Sequence, residues 1–264
     1  MVEGRGVVGR QGGVAISINI REERGVRYLH FGSELVQGAM RIARPSSLEI
    51  EYTRELMFAL LLRAPGAWPA RVLQIGLGSA SVTRFLYRHR PRSRIHVVEL
   101  VPDVVAAARQ FFKLPDDTKR MHIEIGDGHD YVASSKREFD FIVVDGFDER
   151  GFTGMLDTLP FYVNCRARLG DAGIAAVNLV DRRRGSVAAS CERLREAFEE
   201  RVLVLPRGVD GNTIALAVAG SEIRIAMETL QLRARKLRVA TGLDLSPTLA
   251  RLEKRLGTDA ILEL

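Results

Sequence analysis

Four acidic residues follow the ends of apolar, strand-like runs in this chain, and they are Glu99, Asp127, Asp145 and Asp148. Because the carboxyl ends of parallel strands meet at one edge of a sheet, we expect these side chains to line a single crevice. Asp145 directly follows four apolar residues and is placed to accept a proton or to orient an amine. Asp148, three residues further on, is placed to hold a second cationic group.

A glycine turn, Gly76-Leu-Gly78, connects the first of these runs to an amphipathic helix. Glycine has no Cβ and tolerates positive φ, so the backbone N–H groups of such a turn can approach a ligand closely. Glu99 lies about 20 residues on, where an acidic side chain can accept hydrogen bonds from both hydroxyls of a ribose. The unit is typical of a nucleoside site, although an ordinary tight turn would also use two glycines.

Asp127 lies between two glycines and suits the recognition of a purine, whose exocyclic amine donates hydrogen bonds. Gly128 would let the backbone come close to the base. Helix capping or turn formation is the structural alternative for both Asp127 and Asp148.

From Arg71 to about residue 219 the chain alternates between strand and helix patterns. Strands are predicted over 71–76, 94–99, 121–125, 139–144 and 172–178, with an antiparallel pair over 201–206 and 212–219. Helices are predicted to begin near Ala80, Pro102, His129, Asp157 and Gly185. Near-continuous apolar strands are typical of a parallel sheet covered on both faces, so the fold class is α/β with a doubly wound, Rossmann-like sheet.

Four segments organise the chain. We expect a disordered tail over 1–12, a small β element over 13–47, a nucleoside-binding catalytic domain over 48–220 and a helical extension over 221–264. Within them, three strands are predicted at 14–20, 26–31 and 34–42, one helix over 48–63, and two C-terminal helices over 221–238 and 246–256.

Composition limits the remaining possibilities. The chain has 264 residues, which is enough for one hydrophobic core. Its composition, with 46% hydrophobic and 27% charged residues, is typical of a globular protein. No apolar run approaches a membrane span and the start lacks a signal-peptide pattern, so the expected location is the cytoplasm. Two distant cysteines, Cys165 and Cys191, suggest neither a disulfide framework nor a metal site. The net charge is +6, but the arginines are scattered, which argues against a nucleic-acid partner.

The chain resembles the spermidine synthase (polyamine aminopropyltransferase) family. The resemblance covers residues 26–218 and rests on segments in the family's order and spacing, namely Gln37–Met40, Glu51-Tyr52, Val72–Gly78, Val97–Glu99, Gly126–Gly128, Val143–Asp148 and Phe161-Tyr162. It implies a methyltransferase-type Rossmann-like topology and a homodimer or homotetramer. It also implies transfer of an aminopropyl group from decarboxylated S-adenosylmethionine to a di- or polyamine, without a metal.

The resemblance also implies roles for individual residues. Glu99 would bind the ribose, Asp127 the adenine amine, and Asp145 would be the catalytic base. Gly76, Gly78, Ser79 and Gly128 would contribute to donor binding, and Tyr52, Asp148 and Gln37 would hold the amine or the aminopropyl group.

Three departures from the family pattern concern the amine half of the site. Ser79 stands where the family's GGGDGG loop has an aspartate, the DSxDP loop is here Asp145–Glu149 without its proline, and 205–211 lacks the family's tyrosine. A neutral hydroxyl anchors a cation more weakly than a carboxylate does. An S-adenosylmethionine-dependent methyltransferase is therefore an alternative, and a non-catalytic nucleoside-binding or assembly protein is another.

Overall fold

The computed structural model describes residues 7–11, 14–32, 35–64, 66, 68–148, 151–181 and 185–264. Its centre is a seven-stranded sheet, and apolar runs with nearly every residue buried form most of its strands. In chain order the strands are β5 (Arg71–Ile75), β6 (Arg94–Glu99), β7 (Met121–Ile125), β8 (Phe139–Val144), β9 (Leu169–Val180), β10 (Val202–Val204) and β11 (Asn212–Val218).

The order of the strands across the sheet is β10-β11-β9-β8-β5-β6-β7. Strands β5 to β9 are parallel to one another, whereas β11 is antiparallel to both β9 and β10. The chain leaves β5 towards β6 on one side and later returns to pair β8 on the other. This reversal creates a crevice at the carboxyl end of β5, where doubly wound sheets bind ligands. The predicted fold class is confirmed.

Four helices connect the parallel strands, namely α3 (Ser81–His89), α4 (Pro102–Phe111), α5 (Gly128–Ser134) and α6 (Leu159–Ala167), and a fifth, α7 (Ser186–Ala197), connects β9 to β10. Each begins within two residues of its predicted start, and a 3-10 turn (Gly154–Asp157) precedes α6. One apolar core packs α3 and α4 on a face of the sheet, and a second packs α5, α6 and α7 on the opposite face.

An antiparallel N-terminal sheet is formed by β1 (Val7–Gln11), β2 (Val14–Glu23), β3 (Val26–Phe31) and β4 (Val36–Arg41). The structure differs here from the predicted tail, because β1 lies within 1–12 and pairs with β2, giving four strands instead of three. Residues 1–6 and 12 of that predicted tail lie outside the described residues. The sheet places Gln37 and Gly38 of β4 beside the glycine turn.

The predicted helix over 48–63 is two short helices, α1 (Glu51–Leu56) and α2 (Ala59–Leu62), joined by a turn at Met57-Phe58. The C-terminal extension has the two expected helices, α8 (Met227–Thr241) and α9 (Ser246–Leu256). It also has two strands that the sequence analysis missed, β12 (Arg224–Ala226) and β13 (Ile261–Glu263), which pair with each other. None of the described helices combines the length and apolar character that crossing a bilayer requires.

Candidate active site

A cavity of about 300 Å³ opens at the carboxyl ends of β5 to β8. All four predicted carboxylates line it, together with Gln37, Tyr52, Gly76, Gly78 and Gly128. No lysine or arginine is among its described lining residues. The cavity is therefore an acidic, partly apolar pocket at the lower end of the size range of small-molecule sites.

The glycine turn is required by a close approach of two strands. A Cβ on Gly76, whose φ is +86°, would lie 2.2 Å from the carbonyl oxygen of Asp145. The Gln74 side chain donates a hydrogen bond to the Gly76 carbonyl at 2.8 Å, and the Thr83 hydroxyl donates one to Gln74 at 2.7 Å. Any residue other than glycine at position 76 would push β8 and its Asp145 away from β5.

Glu99 ends β6 with its carboxylate held against the turn. One oxygen accepts the backbone N–H of Leu77 at 2.8 Å, and the other accepts that of Val101 at 2.9 Å. Burial raises the pKa of Glu99, and these backbone hydrogen bonds oppose the rise. Glu99 also lines the cavity, so its carboxylate lies where a ligand hydroxyl can reach it.

Asp127 is both a helix cap and a wall of the cavity. Its Oδ1 accepts the backbone N–H groups of His129, at 2.7 Å, and Asp130, at 3.4 Å, which caps α5. The capping bonds leave Oδ2 available to a ligand donor. A Cβ on Gly128 would lie 2.3 Å from the Ile75 side chain, so α5 packs directly against β5 at this position. The capping role considered for Asp127 thus coexists with a place in the cavity.

Asp145 lies directly after β8 with its carboxylate enclosed by polar partners. The Asn178 side chain donates a hydrogen bond to Oδ1 at 2.8 Å, and Asn212 donates in turn to Asn178 at 2.8 Å. Burial raises the pKa of Asp145 from 3.8 to about 6, and hydrogen bonds from Asn178 and Tyr52 offset part of the rise. The carboxylate is thus a stronger base than an exposed aspartate and remains ionised at neutral pH.

Tyr52 reaches the same carboxylate from α1. Burial, followed by the charges of Asp145 and Asp210, holds the pKa of the Tyr52 hydroxyl well above its usual value near 10. The hydroxyl therefore stays protonated and acts as a donor. Asp210 is placed by a hydrogen bond from the backbone N–H of Glu51 to its Oδ2 at 2.9 Å, which ties the loop before β11 to α1.

Asp148 shapes the loop that closes the cavity. Its Oδ1 accepts the backbone N–H of Phe152 at 2.8 Å, and its own backbone pairs with Phe152 and Gly151. The turn-forming role considered for Asp148 is therefore present, and the residue lines the cavity as well.

Ser79 is not brought to the cavity. Its side chain is only 2% exposed, shares a hydrogen bond of 2.9 Å with the Ser81 hydroxyl, and lies beneath Gly38 of β4. A Cβ on Gly38 would come within 2.3 Å of the Ser79 hydroxyl oxygen. Gln37, the neighbour of Gly38, does line the cavity.

Charged and polar side chains join α1 to α9 in a contact that we call the α1–α9 clasp, formed by Glu51, Glu55, Thr248 and Arg251. Glu55 is 0% exposed and pairs with Arg251, while the Thr248 hydroxyl donates to Glu55 at 3.0 Å. Arg251 also pairs with Glu51 at 3.0 Å, and Glu51 accepts the backbone N–H of Val209 at 2.7 Å. The clasp therefore fixes the helix that carries Tyr52 and the loop that carries Asp210.

Sequence reasoning missed Asn178, Asn212 and Arg251. Asn178 did leave a signal, because it is the single polar residue in the buried run Ile174–Leu179 and is itself 2% exposed. Such a residue needs hydrogen-bond partners in the core. Asn212 and Arg251 carry no comparable signal, since their partners lie far away in the sequence.

Comparisons by sequence and by structure both find similarity to spermidine synthases and related transferases. Residues 50–181 match the spermine/spermidine synthase domain. A polyamine aminopropyltransferase of Neisseria meningitidis is 37% identical over 238 residues, which cover 89% of each chain. The solved structure of a probable spermidine synthase from Corynebacterium glutamicum has a TM-score of 0.72, and the match covers 92% of this chain and 95% of that one. The identity is 19%, so this similarity shows only that the two proteins share a fold. The solved structure of human methyltransferase-like protein 13 in complex with SAH has a TM-score of 0.66 at 25% identity, and the match covers 74% of this chain and 93% of that one.

Proposed function

The chain belongs to the spermine/spermidine synthase family, and from that premise we propose that it is a polyamine aminopropyltransferase. It would transfer the aminopropyl group of decarboxylated S-adenosylmethionine to a di- or polyamine. The observation that carries the proposal is an acidic cavity in which Asp145 and Tyr52 face the nucleoside-binding residues of β5 to β7.

The donor nucleoside would lie across the ends of β5, β6 and β7. Glu99 would accept hydrogen bonds from the ribose hydroxyls at the side of its carboxylate that lines the cavity. Asp127 would accept one from the adenine amine through Oδ2. Gly76, Gly78 and Gly128 would let the backbone approach the nucleoside, and Gln37 would contact the donor from β4.

Charge favours the decarboxylated donor over intact S-adenosylmethionine. Four carboxylates and no lysine or arginine line the described cavity, so the carboxylate of the intact donor would find no cationic partner there. An uncompensated like charge in a partly buried site is unfavourable. The charge of the cavity therefore supports aminopropyl transfer over methyl transfer, even though Ser79 contributes no charge to it.

Asp145 would act as the base that prepares the acceptor. The ammonium of the acceptor gives a proton to the Asp145 carboxylate, and the freed lone pair attacks the aminopropyl carbon bonded to sulfur. The new C–N bond forms as the C–S bond breaks, and its electron pair returns to sulfur, which yields methylthioadenosine. A pKa of about 6 brings the carboxylate closer to the pKa of an amine, near 10, than an ordinary aspartate would be.

Tyr52 and Asp148 would orient the acceptor. The Tyr52 hydroxyl and the two carboxylates lie around the same opening, so a diamine can be held in line with the sulfonium carbon. Orientation of this kind supplies a large part of the acceleration of a two-substrate reaction.

From the family resemblance we also propose that the protein is cytoplasmic and that it forms a homodimer or homotetramer. Light scattering would measure the mass of the assembly in solution.

The test is an assay with purified protein, putrescine and either donor, in which mass spectrometry follows the new polyamine and methylthioadenosine. We expect both products with the decarboxylated donor and neither with S-adenosylmethionine. Calorimetry with the two donors should show tighter binding of the decarboxylated form. Preferred binding of S-adenosylmethionine, with no turnover of any amine, would overturn the proposal and favour a methyltransferase.

A further inference from the structure

The opposite end of the central sheet is basic. Because β5 to β8 are parallel, the segments that precede them all meet at their amino ends, away from the acidic cavity. There, a second cavity of about 330 Å³ is lined by cationic side chains, which together form what we call the amino-end face: Arg71, Arg94, Lys119, Arg120 and Arg137. Its only described acidic lining residue is Glu138.

The basic surface continues beyond this cavity. Arg120 donates hydrogen bonds to the backbone carbonyls of Tyr87 and Arg90 at 3.0 Å, which joins the face to the loop before β6. That loop lines a neighbouring cavity of about 160 Å³ that includes Arg90 and Arg92. The arginines are scattered in the sequence, whereas the parallel topology gathers positions from 71 to 137 onto one surface.

Most nearby acids are already engaged. Arg71 pairs with Glu138 at 3.5 Å and with Asp140 at 3.4 Å. Asp117 accepts the Tyr87 hydroxyl at 2.8 Å and the backbone N–H of Lys119 at 2.9 Å. Within the part of the chain that the structure describes, Arg94 and Lys119 have no ion-pair partner, so their charge is available to an external anion.

A divalent cation does not suit this face. His96, His122 and Glu124 offer ligand atoms within 4.8 Å of one another, but the Arg137 guanidinium lies 3.3 Å from Nδ1 of His96. Since a guanidinium only donates, Nδ1 accepts, and the proton on Nε2 points to Glu124 at 3.1 Å. That nitrogen is therefore not free to bind a metal, and the surrounding cations repel one.

The arrangement also suits an extended anion better than a membrane. Strands lie about 4.8 Å apart, so the starts of β8, β5, β6 and β7 span about 14 Å, wider than one phosphate group. The apolar residues that line the cavity beside the cations, such as Met121 and Phe139, are buried and cannot insert into a bilayer.

We propose that the amino-end face binds the phosphate backbone of nucleic acid without reading its bases. The charge of the face complements a chain of phosphates. Among the described lining residues the one exposed aromatic ring is that of His122, and it already packs against the ring of His96, with 4.8 Å between the ring centroids. Binding would be electrostatic and independent of the acidic cavity at the other end of the sheet.

Fluorescence anisotropy with a labelled single-stranded RNA of about 20 nucleotides, titrated at salt concentrations from about 50 to 200 mM, tests the proposal. The key variant is Arg94→Gln/Lys119→Gln/Arg137→Gln. Each phosphate contact to a single strand contributes about 0.7 to the slope of log K against log salt, so the triple variant should lower that slope by about 2. A matched control, Arg235→Gln/Lys236→Gln/Lys254→Gln, removes the same charge from exposed positions of α8 and α9.

The proposal holds if the face variant loses RNA binding while the control retains it. Equal losses in both variants would show that net charge alone drives binding, and this outcome overturns it. The proposal is also overturned if tripolyphosphate, at a matched phosphate concentration, binds as tightly as the RNA does. It is overturned as well if the protein binds phosphatidylserine vesicles but not RNA. Donor binding by calorimetry should be unchanged in both variants, which separates failure of this proposal from failure of the proposed enzyme activity and from misfolding.

Discussion

The two proposed halves of the acidic cavity, one for the donor nucleoside and one for the amine, are built in different ways. The nucleoside half uses Gly76, Glu99, Asp127 and Gly128, which lie at the ends of consecutive parallel strands and within about 50 residues of one another. The amine half brings Tyr52 from α1 to Asp145 after β8, and depends on Asn178, Asn212 and Arg251 from distant parts of the chain. One half is a local pattern of the βα units, whereas the other exists only after long-range packing.

Because the two halves are built from different parts of the chain, substitutions in one half should leave the function of the other intact. A change in the nucleoside half should weaken donor binding, because its residues would contact the donor directly. A change in the amine half should lower turnover or raise the KM for the amine while leaving donor binding intact. The predictions that follow test that separation.

The largest effect is expected for Asp145→Asn, which removes the base without changing the shape of the site. General base catalysis contributes about 10²- to 10⁴-fold, so kcat should fall by that factor while the Kd of the donor changes by less than about twofold. Product formation and calorimetry measure the two quantities. Asp116→Asn, at an exposed position, is the control. A variant that retained about a tenth of wild-type kcat or more would remove Asp145 from the role of base.

Glu99→Gln should affect the other half. The charge-assisted hydrogen bonds that we propose to the ribose would be lost. The new amide group would also face the N–H of Leu77 or Val101, so the Kd of the donor should rise about 10- to 100-fold. At saturating donor, kcat should change much less. If calorimetry instead gave an unchanged donor Kd, the nucleoside would have to lie elsewhere.

Asn178→Ala should shift the pH dependence of the reaction. The hydrogen bond from Asn178 lowers the pKa of Asp145, so its loss should raise that pKa above about 6. Because the ionised carboxylate is the active form, the acid limb of kcat/KM for the amine should move to higher pH. We also expect a loss of about tenfold in kcat at neutral pH. A profile that kept its acid limb in place would show that Asn178 does not tune the base.

Arg251→Met should act on the amine half through the α1–α9 clasp. Glu55 would stay buried without its cation, so the free energy of unfolding should fall by about 1–3 kcal/mol, less than for a fully buried pair because Arg251 is partly exposed. We expect the KM for the amine to rise a fewfold while the donor Kd is unchanged. Arg238→Met, which breaks an exposed pair with Asp244 in the same extension, is the matched control. Equal changes in both variants would indicate a general effect of the extension.

Ser79→Ala should have the smallest effect. The hydroxyl lies outside the cavity, so the donor Kd should change by less than about twofold, whereas the lost hydrogen bond to Ser81 should lower the free energy of unfolding by about 1 kcal/mol. Calorimetry and chemical denaturation measure both. A marked weakening of donor binding would mean that the serine turns into the cavity when the donor binds.

The sequence predicts the fold, and the position of Glu99 and Asp127 at one cavity, for the same physical reason. Alternating apolar runs and glycine turns define βα units, and every strand-end residue of a parallel sheet faces one crevice. Glu99 and Asp127 could therefore be placed from local pattern alone. Asn212 could not, because it reaches Asn178 only through the antiparallel insertion of β11 beside β9. The position of the Ser79 side chain could not be predicted from local pattern either, because it depends on contact with Gly38 of the separate N-terminal sheet.

The α1–α9 clasp also has a consequence for the order in which the protein is made. Glu55 and Arg251 are 196 residues apart, so at 5–20 residues per second a ribosome needs about 10 to 40 s to deliver the second partner after the first. All residues of the nucleoside half are synthesised well before α9. A nascent chain could therefore acquire the capacity to hold a nucleoside before it can position an amine, and the ability to react would be the last property to emerge during translation.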